Sequence, residues 1–294
     1  MIEVITGIIL LVFGGDIAIN AADKISKKFG ISNLTIGLSL IAIMTSLPEV
    51  FTNIASGMQK EGDIALGNVY GSNASNALLI GAIALFFGTH EKEYKKISNY
   101  LAIAAPLLLY MFCLNAEISQ TESFILLLTY ILFSKTLFPG KKTKTNQKGT
   151  MGLKIFAQIA ISIFLLWKGG DMAVSGAIDL SQKFGWSEVF SGLILGFGTS
   201  LPELTVTFAA VKKNNLAIIS GNLIGSNIIN PLVAMPFSTI SGNLHISNNE
   251  KMAWWAILGT IIYIFGTTQN KKNKKIIASL SFCMFLWIIL SYSG

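Results

Sequence analysis

The chain has 294 residues, of which 52% are hydrophobic and only 13% are charged. A soluble domain carries roughly 25% charged residues, so this composition excludes a soluble globular protein and indicates a membrane protein. The formal net charge is +7, and its functional interpretation depends on where the basic residues lie along the chain.

Ten apolar segments follow one another along the chain, most of them close to the length of about 20 residues that crosses a bilayer. Hydropathy predicts membrane spans at about 3–22, 33–59, 63–88, 97–115, 119–138, 153–176, 187–211, 214–240, 252–269 and 276–292. The N-terminus lacks the basic region and the small-residue cleavage site of a signal peptide, so we expect the first span to be a retained helix.

The ten spans divide into two halves of five, residues 1–138 and 153–294, joined by a basic linker at 139–152. An odd number of crossings in each half makes the second half enter the membrane from the opposite face. The predicted fold is therefore an all-α membrane protein with ten transmembrane helices, arranged as two inverted five-helix repeats.

The lysines predict the orientation of these spans. All 22 basic residues are lysines, and on the ten-span count 18 of them lie on the same side as the linker. The positive-inside rule makes that side cytoplasmic and places Met1 and Gly294 outside, in a multi-pass protein of the plasma membrane. Orientation and contact with anionic lipid account for the net charge, so it gives no argument for a nucleic-acid partner.

Two short motifs occur once in each half. The sequence TSLPE at 45–49 returns at 199–203, and GNVYGSN at 67–73 returns as GNLIGSN at 221–227. At this offset of 154, 13 of the 32 positions from 45 to 76 are identical, and at an offset of 155 a second block at 14–32 matches 169–187 at 10 of 19 positions. The halves are therefore a duplication, and paired motifs of this kind predict one site at their interface.

Each TSLPE motif puts a glutamate, Glu49 or Glu203, inside a predicted span. A charged side chain at the centre of a membrane helix costs roughly 2.5–3.5 kcal/mol on insertion scales. The preceding proline interrupts the helical hydrogen bonds, and irregular backbone at that depth is tolerated where it is buried in protein or lines a cavity. The alternative is that Ser-x-x-Glu forms a capping box at the start of a new helix, which needs no functional role for the acid.

The residues around the two glutamates offer only oxygen donors. On a helix Asn68, Ser72 and Asn76 share one face, as do Asn222, Ser226 and Asn230, and these faces are expected to point oxygens at the carboxylates. The predicted donors other than the two glutamates are Thr45, Ser46, Ser72, Asn76, Thr199, Ser200, Ser226 and Asn230.

This donor set suits hard cations. Ca²⁺ takes six to eight oxygen ligands in flexible geometry, and the same cage suits Na⁺. The motifs contain no histidine or cysteine, which argues against zinc, copper or iron. Two carboxylates balance one divalent ion that monovalent ions or protons could replace, as an exchanger requires. We therefore expect a transporter with Ca²⁺ and Na⁺ (or H⁺) as cargo, with no cofactor and no enzymatic activity.

The paired TSLPE and GNxxGSN motifs resemble the two alpha-repeats of the calcium/cation antiporter superfamily, and most closely its prokaryotic sodium/calcium exchanger branch. The resemblance implies alternating access, in which the first and sixth spans, each ending in Gly-Gly-Asp, slide against a bundle that holds the ions. It implies that Glu49 and Glu203 bind both Ca²⁺ and Na⁺, and that Thr45 and Thr199 contribute backbone carbonyls. The implied sodium ligands are Ser46, Ser72, Ser200 and Ser226, together with the backbone at Ala42 and Gly196.

The chain departs from the family pattern at three positions. Asn230 stands where some exchangers carry aspartate, Met44 replaces the glycine that Gly198 provides in the second half, and Pro231 follows Asn230 directly. Two other functions share the architecture, a proton/calcium antiporter and a passive cation channel. An intramembrane hydrolase would use paired acids too, but the chain has no Gly-x-Gly-Asp, Ser/His or His-Glu-x-x-His signature.

Overall fold

The computed structural model describes residues 2–87, 96–137, 152–183, 198–246 and 250–292, and most of these residues are helical. The helices of the first half are α1 (Ile2–Phe29), α2 (Asn33–Thr45), α3 (Leu47–Met58), α4 (Gly62–Phe87), α5 (Lys96–Phe112) and α6 (Gln120–Leu137). Those of the second half are α7 (Leu153–Lys183), α8 (Leu201–Lys212), α9 (Leu216–Ser241), α10 (Glu250–Thr267) and α11 (Lys271–Tyr292). Two short strands, β1 (Glu117–Ile118) and β2 (Leu244–His245), pair antiparallel.

Several helices are long and apolar enough to cross a membrane. Within the described residues these are α1, α4, α5, α7, α9 and α11, and the pair α2–α3, bent by 42°, makes a seventh. The apolar parts of α6 and α10 are shorter. Of the predicted span 187–211, the part before residue 198 lies outside the described residues, and the rest includes α8.

The helices α1 and α7 pack against each other in antiparallel fashion. A Cβ atom at Gly169 of α7 would lie 2.8 Å from the Gly7 carbonyl oxygen of α1, and Lys24 of α1 bonds Gln158 of α7 over 2.9 Å. Both helices continue past their predicted ends, and the Gly-Gly-Asp residues lie well inside them rather than at the ends of the spans. In α1 the extra turns carry lysines, and the Lys27–Asp23 ion pair at i, i+4 supports the helix beyond the apolar segment.

One end of the molecule is made by three connecting segments. Strand β1 follows α5, strand β2 follows α9, and the two strands pair there. Lys60, in the turn after α3, donates to the Ser241 carbonyl oxygen over 2.8 Å, and the Ser241 hydroxyl donates to the Gly57 carbonyl oxygen over 2.7 Å. The segments after α3, α5 and α9 therefore meet at one end, as alternate loops of the predicted spans should.

The lysine-rich segments lie elsewhere, near the ends of other helices. Lys213, after α8, donates to the Asn20 side chain of α1 over 2.9 Å. Asn33, which begins α2, bonds Asn215, which precedes α9, over 3.1 Å. Lys275 of α11 lies 5.1 Å from the ring centre of Phe86, near the end of α4. These contacts place the segment before α9 beside α1 and the start of α2, and the start of α11 beside the end of α4.

The centre of the molecule is formed by α4 and α9, the most buried of the candidate spans at 83%. Gly221 and Gly225 of α9 bring it close to α2: a Cβ at Gly221 would lie 2.5 Å from the Leu34 carbonyl oxygen, and one at Gly225 would lie 2.7 Å from that of Leu38. These two glycines form a close Gly-x-x-x-Gly contact, because only hydrogen atoms fit at these crossings, whereas a Cβ at Gly67 would meet nothing within 4 Å among the described atoms.

Candidate cation site

The two proline motifs interrupt the helices in the same way. Ser46 has φ −85° and ψ 5°, and Ser200 has φ −88° and ψ 4°; each immediately precedes a helix with proline in its first turn. Neither serine side chain caps the following helix, so the capping-box alternative is not what the structure contains. The break instead turns both glutamates into the protein interior.

Both carboxylates are fully buried, and each is held by a serine of its own half. Ser72 of α4 donates to Oε1 of Glu49 over 2.7 Å, and Ser226 of α9 donates to Oε1 of Glu203 over 3.1 Å. As predicted, the serine of each polar helical face bonds the glutamate of its own half. Asn68, the first residue of the face on α4, instead donates to the Asn53 side chain over 2.7 Å and to the backbone carbonyl of Glu49 over 3.2 Å.

Further hydrogen bonds join the two halves around the acids. The Ser72 and Ser200 hydroxyls lie 2.9 Å apart, and Asn230 Nδ2 donates to Ser72 Oγ over 3.3 Å. A bond also runs from the first half to the second: Thr45 Oγ1 donates to Asn222 Oδ1 over 3.0 Å. The bonds thus form two networks, one around each glutamate, and each contains donors of both repeats; we call the two networks together the cluster, and every member named here is buried.

Two buried asparagines without a predicted role join the two halves beside this cluster. Asn73 Nδ2 donates to the Asn227 carbonyl oxygen over 3.1 Å, and Asn227 Nδ2 lies 3.5 Å from the Asn73 carbonyl oxygen. Both belong to the repeated GNxxGSN motif and stand 154 residues apart. Their place in the repeat was the signal that could have identified them as the crossing point of α4 and α9.

Several buried oxygens of the cluster have no hydrogen-bond partner in the described part of the chain. They are Ser46 Oγ, Glu49 Oε2, Asn76 Oδ1, Glu203 Oε2 and Asn230 Oδ1. Leaving a buried polar group unpaired costs about 1–3 kcal/mol, which a ligand with complementary charge removes. All five can donate electron pairs to a cation, and together they fit a hard ion such as Ca²⁺ or Na⁺.

The remaining predicted donors are the Ala42 backbone, Thr199 and Gly196. The Ala42 carbonyl oxygen accepts the backbone N–H of Ser46 over 3.0 Å, and Thr199 is buried just before the second helix break. Gly196 lies outside the described residues. No group of three or more His, Cys, Asp and Glu side chains occurs among the residues described, so the cluster has the donor set of a two-acid oxygen site.

The helices also widen at the site. Wider π-helical turns occur at Gly37–Ile41, Ser75–Ile80 and Asn230–Ala234. The turn at Ser75–Ile80 contacts α8, which carries Glu203, and that at Asn230–Ala234 contacts α3, which carries Glu49. Such turns release backbone groups from the regular i to i−4 pattern and are frequent at functional sites.

A helical membrane fold that buries one acid from each of two matching halves defines a multi-pass transport protein. The chain belongs to the sodium/calcium exchanger protein family, whose model matches residues 2–138 and 154–293. It is therefore a member of the calcium/cation antiporter superfamily, as its motifs predict.

Individual relatives match over most of their length. The chain is 30% identical to the putative antiporter CaxA of Alkalimonas amylolytica, over 81% of this chain and 80% of that protein. It is 28% identical to the sodium/calcium exchanger MaX1 of Methanosarcina acetivorans, over 97% of each. A solved structure of the sodium-calcium exchanger NCX_Mj has the same fold, with a TM-score of 0.83 at 23% identity over 98% of this chain and 97% of that one.

Proposed function

We propose that this protein is a secondary active antiporter that exchanges Ca²⁺ for Na⁺ across the plasma membrane. One observation carries the proposal: Glu49 and Glu203, one from each half, are fully buried, and each keeps a carboxylate oxygen that no described hydrogen bond occupies. Buried acids within a membrane protein are costly and mark ion pathways. The names of MaX1 and NCX_Mj, both sodium/calcium exchangers, support the same cargo.

Charge balance explains why the two ions would exclude each other. The cluster holds two carboxylates, and its other donors, including Asn76 and Asn230, are neutral. One Ca²⁺ or two Na⁺ neutralise two carboxylates, whereas both together leave excess positive charge in a site removed from water. Binding of one ion therefore displaces the other, which is the thermodynamic basis of coupled exchange.

We propose that the chain forms ten transmembrane helices as two inverted repeats, with halves 1–138 and 153–294. The antiparallel packing of α1 on α7 supports this, since equivalent helices of inverted repeats run in opposite directions. The lysine distribution supports a cytoplasmic linker at 139–152 and both termini outside.

Alternating access would then use α1 and α7 as the moving pair. Their contact runs through glycines, which present a smooth surface to a sliding partner. α1 reaches the core through buried apolar residues such as Ala18 and Ile19 and also through polar contacts: Lys213 lies 3.4 Å from Asp16 and 2.9 Å from Asn20. Exposed polar contacts of this kind are weak and easily remade, which suits a moving element.

The test is calcium uptake into proteoliposomes that contain the purified protein. Vesicles loaded with Na⁺, with K⁺ or with acid are diluted into the same calcium medium, and uptake of radioactive calcium is timed. We expect uptake that requires internal Na⁺. Uptake driven by internal acid alone identifies a proton antiporter, and equal uptake from every loading identifies a passive channel. Glu49→Gln tests the buried acid in the same assay. Its matched control is Glu61→Gln, which neutralises an exposed glutamate.

A further inference from the structure

One lysine of the turn between α8 and α9 holds the helix α1. Lys213 Nζ donates to the Asp16 carbonyl oxygen over 3.2 Å and to Asn20 Oδ1 over 2.9 Å, and it lies 3.4 Å from the Asp16 carboxylate. Asp16 and Asn20 are four residues apart and therefore share one face of α1. Three oxygens of α1 thus surround one ammonium group, and a slide of α1 along its axis would move all three away from it together.

Beside this contact the backbone of α1 lies close to α8. A Cβ at Gly15 would lie 3.0 Å from Thr205 Cγ2 and 3.3 Å from the Thr205 carbonyl oxygen. Thr205 stands two residues after Glu203, and Lys213 directly follows α8. The helix α1 therefore follows α8 from the level of Glu203 to the turn. In the proposed orientation this turn is cytoplasmic, so α1 lies against the cytoplasmic side of the site.

The matching turn of the first half, between α3 and α4, offers no such charge to α7. Gln59 stands 154 positions before Lys213, so a neutral amide occupies the place of the ammonium group. In the described contacts Gln59 Nε2 donates to the Ala55 carbonyl oxygen of α3 over 3.4 Å. The neighbouring Lys60 donates to the Ser241 carbonyl oxygen at the end of α9 over 2.8 Å.

The helix α7 differs from α1 in the same respect. Asp171, the counterpart of Asp16 at an offset of 155, pairs with Lys168 of its own helix over 2.7 Å. The rings of Phe51 and Trp167, whose centres lie 6.1 Å apart, bring α7 against α3. In the part of the chain described, a charged group of the core thus holds α1, and its counterpart does not hold α7.

We propose that Lys213 is a positioning residue that holds α1 against the α8–α9 turn and so favours the state whose cytoplasmic side is closed. Because Gln59 carries no charge, the state that is closed on the other side gains no equivalent contact with α7. The contact of Lys213 therefore shifts the balance between the two states toward the cytoplasm-closed one. The proposal rests on the proposed function, since it takes α1 as a moving element of alternating access.

The balance between the two states can be measured from the two faces of the membrane. The apparent affinity at each face falls with the fraction of protein that is open to that face. Exposed ion pairs shift an equilibrium by roughly two- to fivefold, and we expect Lys213→Gln to lower the ratio of half-saturating Ca²⁺ concentrations, cytoplasmic over extracellular, by that factor. Calcium transport by inside-out and right-side-out membrane vesicles gives the two concentrations.

Two matched variants accompany this measurement. Lys213→Arg keeps the positive charge and should keep a ratio close to that of the wild type. Lys212→Gln removes the charge of the adjacent exposed lysine, which makes no described hydrogen bond or ion pair with α1, and should leave the ratio unchanged. A general loss of folded protein lowers transport from both faces and does not alter the ratio.

A distance measurement on the purified full-length protein tests the contact without transport. In a background with Cys113→Ala and Cys283→Ala, spin labels are attached at Lys27→Cys on α1 and Lys212→Cys at the end of α8, both exposed positions. Double electron–electron resonance then gives the distribution of distances between α1 and α8. We expect one main distance without further change, and roughly two- to fivefold more of a second distance when Lys213→Gln is added.

A double-mutant cycle assigns the effect to the contact itself. Once Lys213→Gln has removed the ammonium group, adding Asn20→Ala should change the ratio no further, whereas independent effects would add. An unchanged ratio or distance distribution in Lys213→Gln, an equal fall of the ratio in Lys212→Gln, or additivity in the cycle would each overturn the proposal. Calcium uptake by the wild type that does not depend on Na⁺ would refute the proposed function, and the spin-label distances would still decide whether Lys213 holds α1.

Discussion

Asn73 and Asn227 point their side-chain amides at each other's backbone carbonyls, over 3.1 Å in one direction and 3.5 Å in the other. The two residues occupy the same place in the two sequence repeats, and both are buried. In the proposed arrangement of two inverted repeats, a reciprocal contact between equivalent residues lies on the axis that relates the halves. This contact fixes how α4 crosses α9, and through Ser72 and Ser226 it sets where the two glutamates lie.

The contact between α1 and α7 should be sensitive to a single methyl group. A Cβ at Gly169 would lie 2.8 Å from the Gly7 carbonyl oxygen, so Gly169→Ala must push the helices apart. Overpacking of this kind costs about 1–3 kcal/mol. We expect a lower midpoint of thermal unfolding and slower calcium uptake. Gly170→Ala is the control, since its Cβ would meet only Pro202 Cγ at 3.9 Å among the described atoms. Equal behaviour of the two variants would show that the contact is not tight.

Asn230→Leu should weaken cation binding. The change removes an unpaired oxygen from the site, together with the amide that bonds Ser72 and Asn73. We expect at least a tenfold rise in the Ca²⁺ concentration that half-saturates uptake, at the lower end of the range for residues that orient ion ligands. Asn33→Leu, which removes an amide that pairs with Asn215 away from the site, should leave that concentration unchanged. Normal affinity in Asn230→Leu would place this residue outside the ion pathway.

The proposed orientation predicts which residues are reached from outside the cell. In a background with Cys113→Ala and Cys283→Ala, single cysteines are introduced as Glu61→Cys, after α3, and Asn270→Cys, between α10 and α11; both positions are exposed. A membrane-impermeant maleimide should label Glu61→Cys in intact cells and Asn270→Cys only after the membrane is opened. The reverse pattern would invert the assignment of the termini.

The sequence predicts the features of this protein that depend on local pattern and repetition. The duplicated TSLPE and GNxxGSN motifs indicate two buried acids in one cluster, and the structure brings Glu49, Glu203 and their serines together. Hydropathy locates the spans because apolar length is a property of each segment. The ends of α1 and α7 extend beyond the predicted ones, since a helix continues through polar turns that hydropathy scores as loop.

Contacts between distant segments are what the sequence alone does not reveal. The pairing of Asn73 with Asn227 requires α4 and α9 to cross at one residue of each, which depends on packing against α2 and α10. The bond from Asn227 to the Thr260 hydroxyl likewise involves a helix that carries no motif. The π-helical turn at Ser75–Ile80 has no residue signature that distinguishes it from ordinary helix, whereas the turn at Asn230–Ala234 contains Pro231.

The central claim is that Glu49 and Glu203 form a single cation site, and equilibrium binding of radioactive calcium to the purified protein tests it most directly. We predict that Glu49→Gln and Glu203→Gln each abolish calcium binding that Na⁺ can compete, while both variants keep the wild-type midpoint of thermal unfolding. Ser46→Ala, which removes one neutral oxygen from the same site, should weaken binding without abolishing it. Wild-type calcium affinity in either glutamine variant would contradict the account, because the glutamate replaced in that variant would then be dispensable to the site.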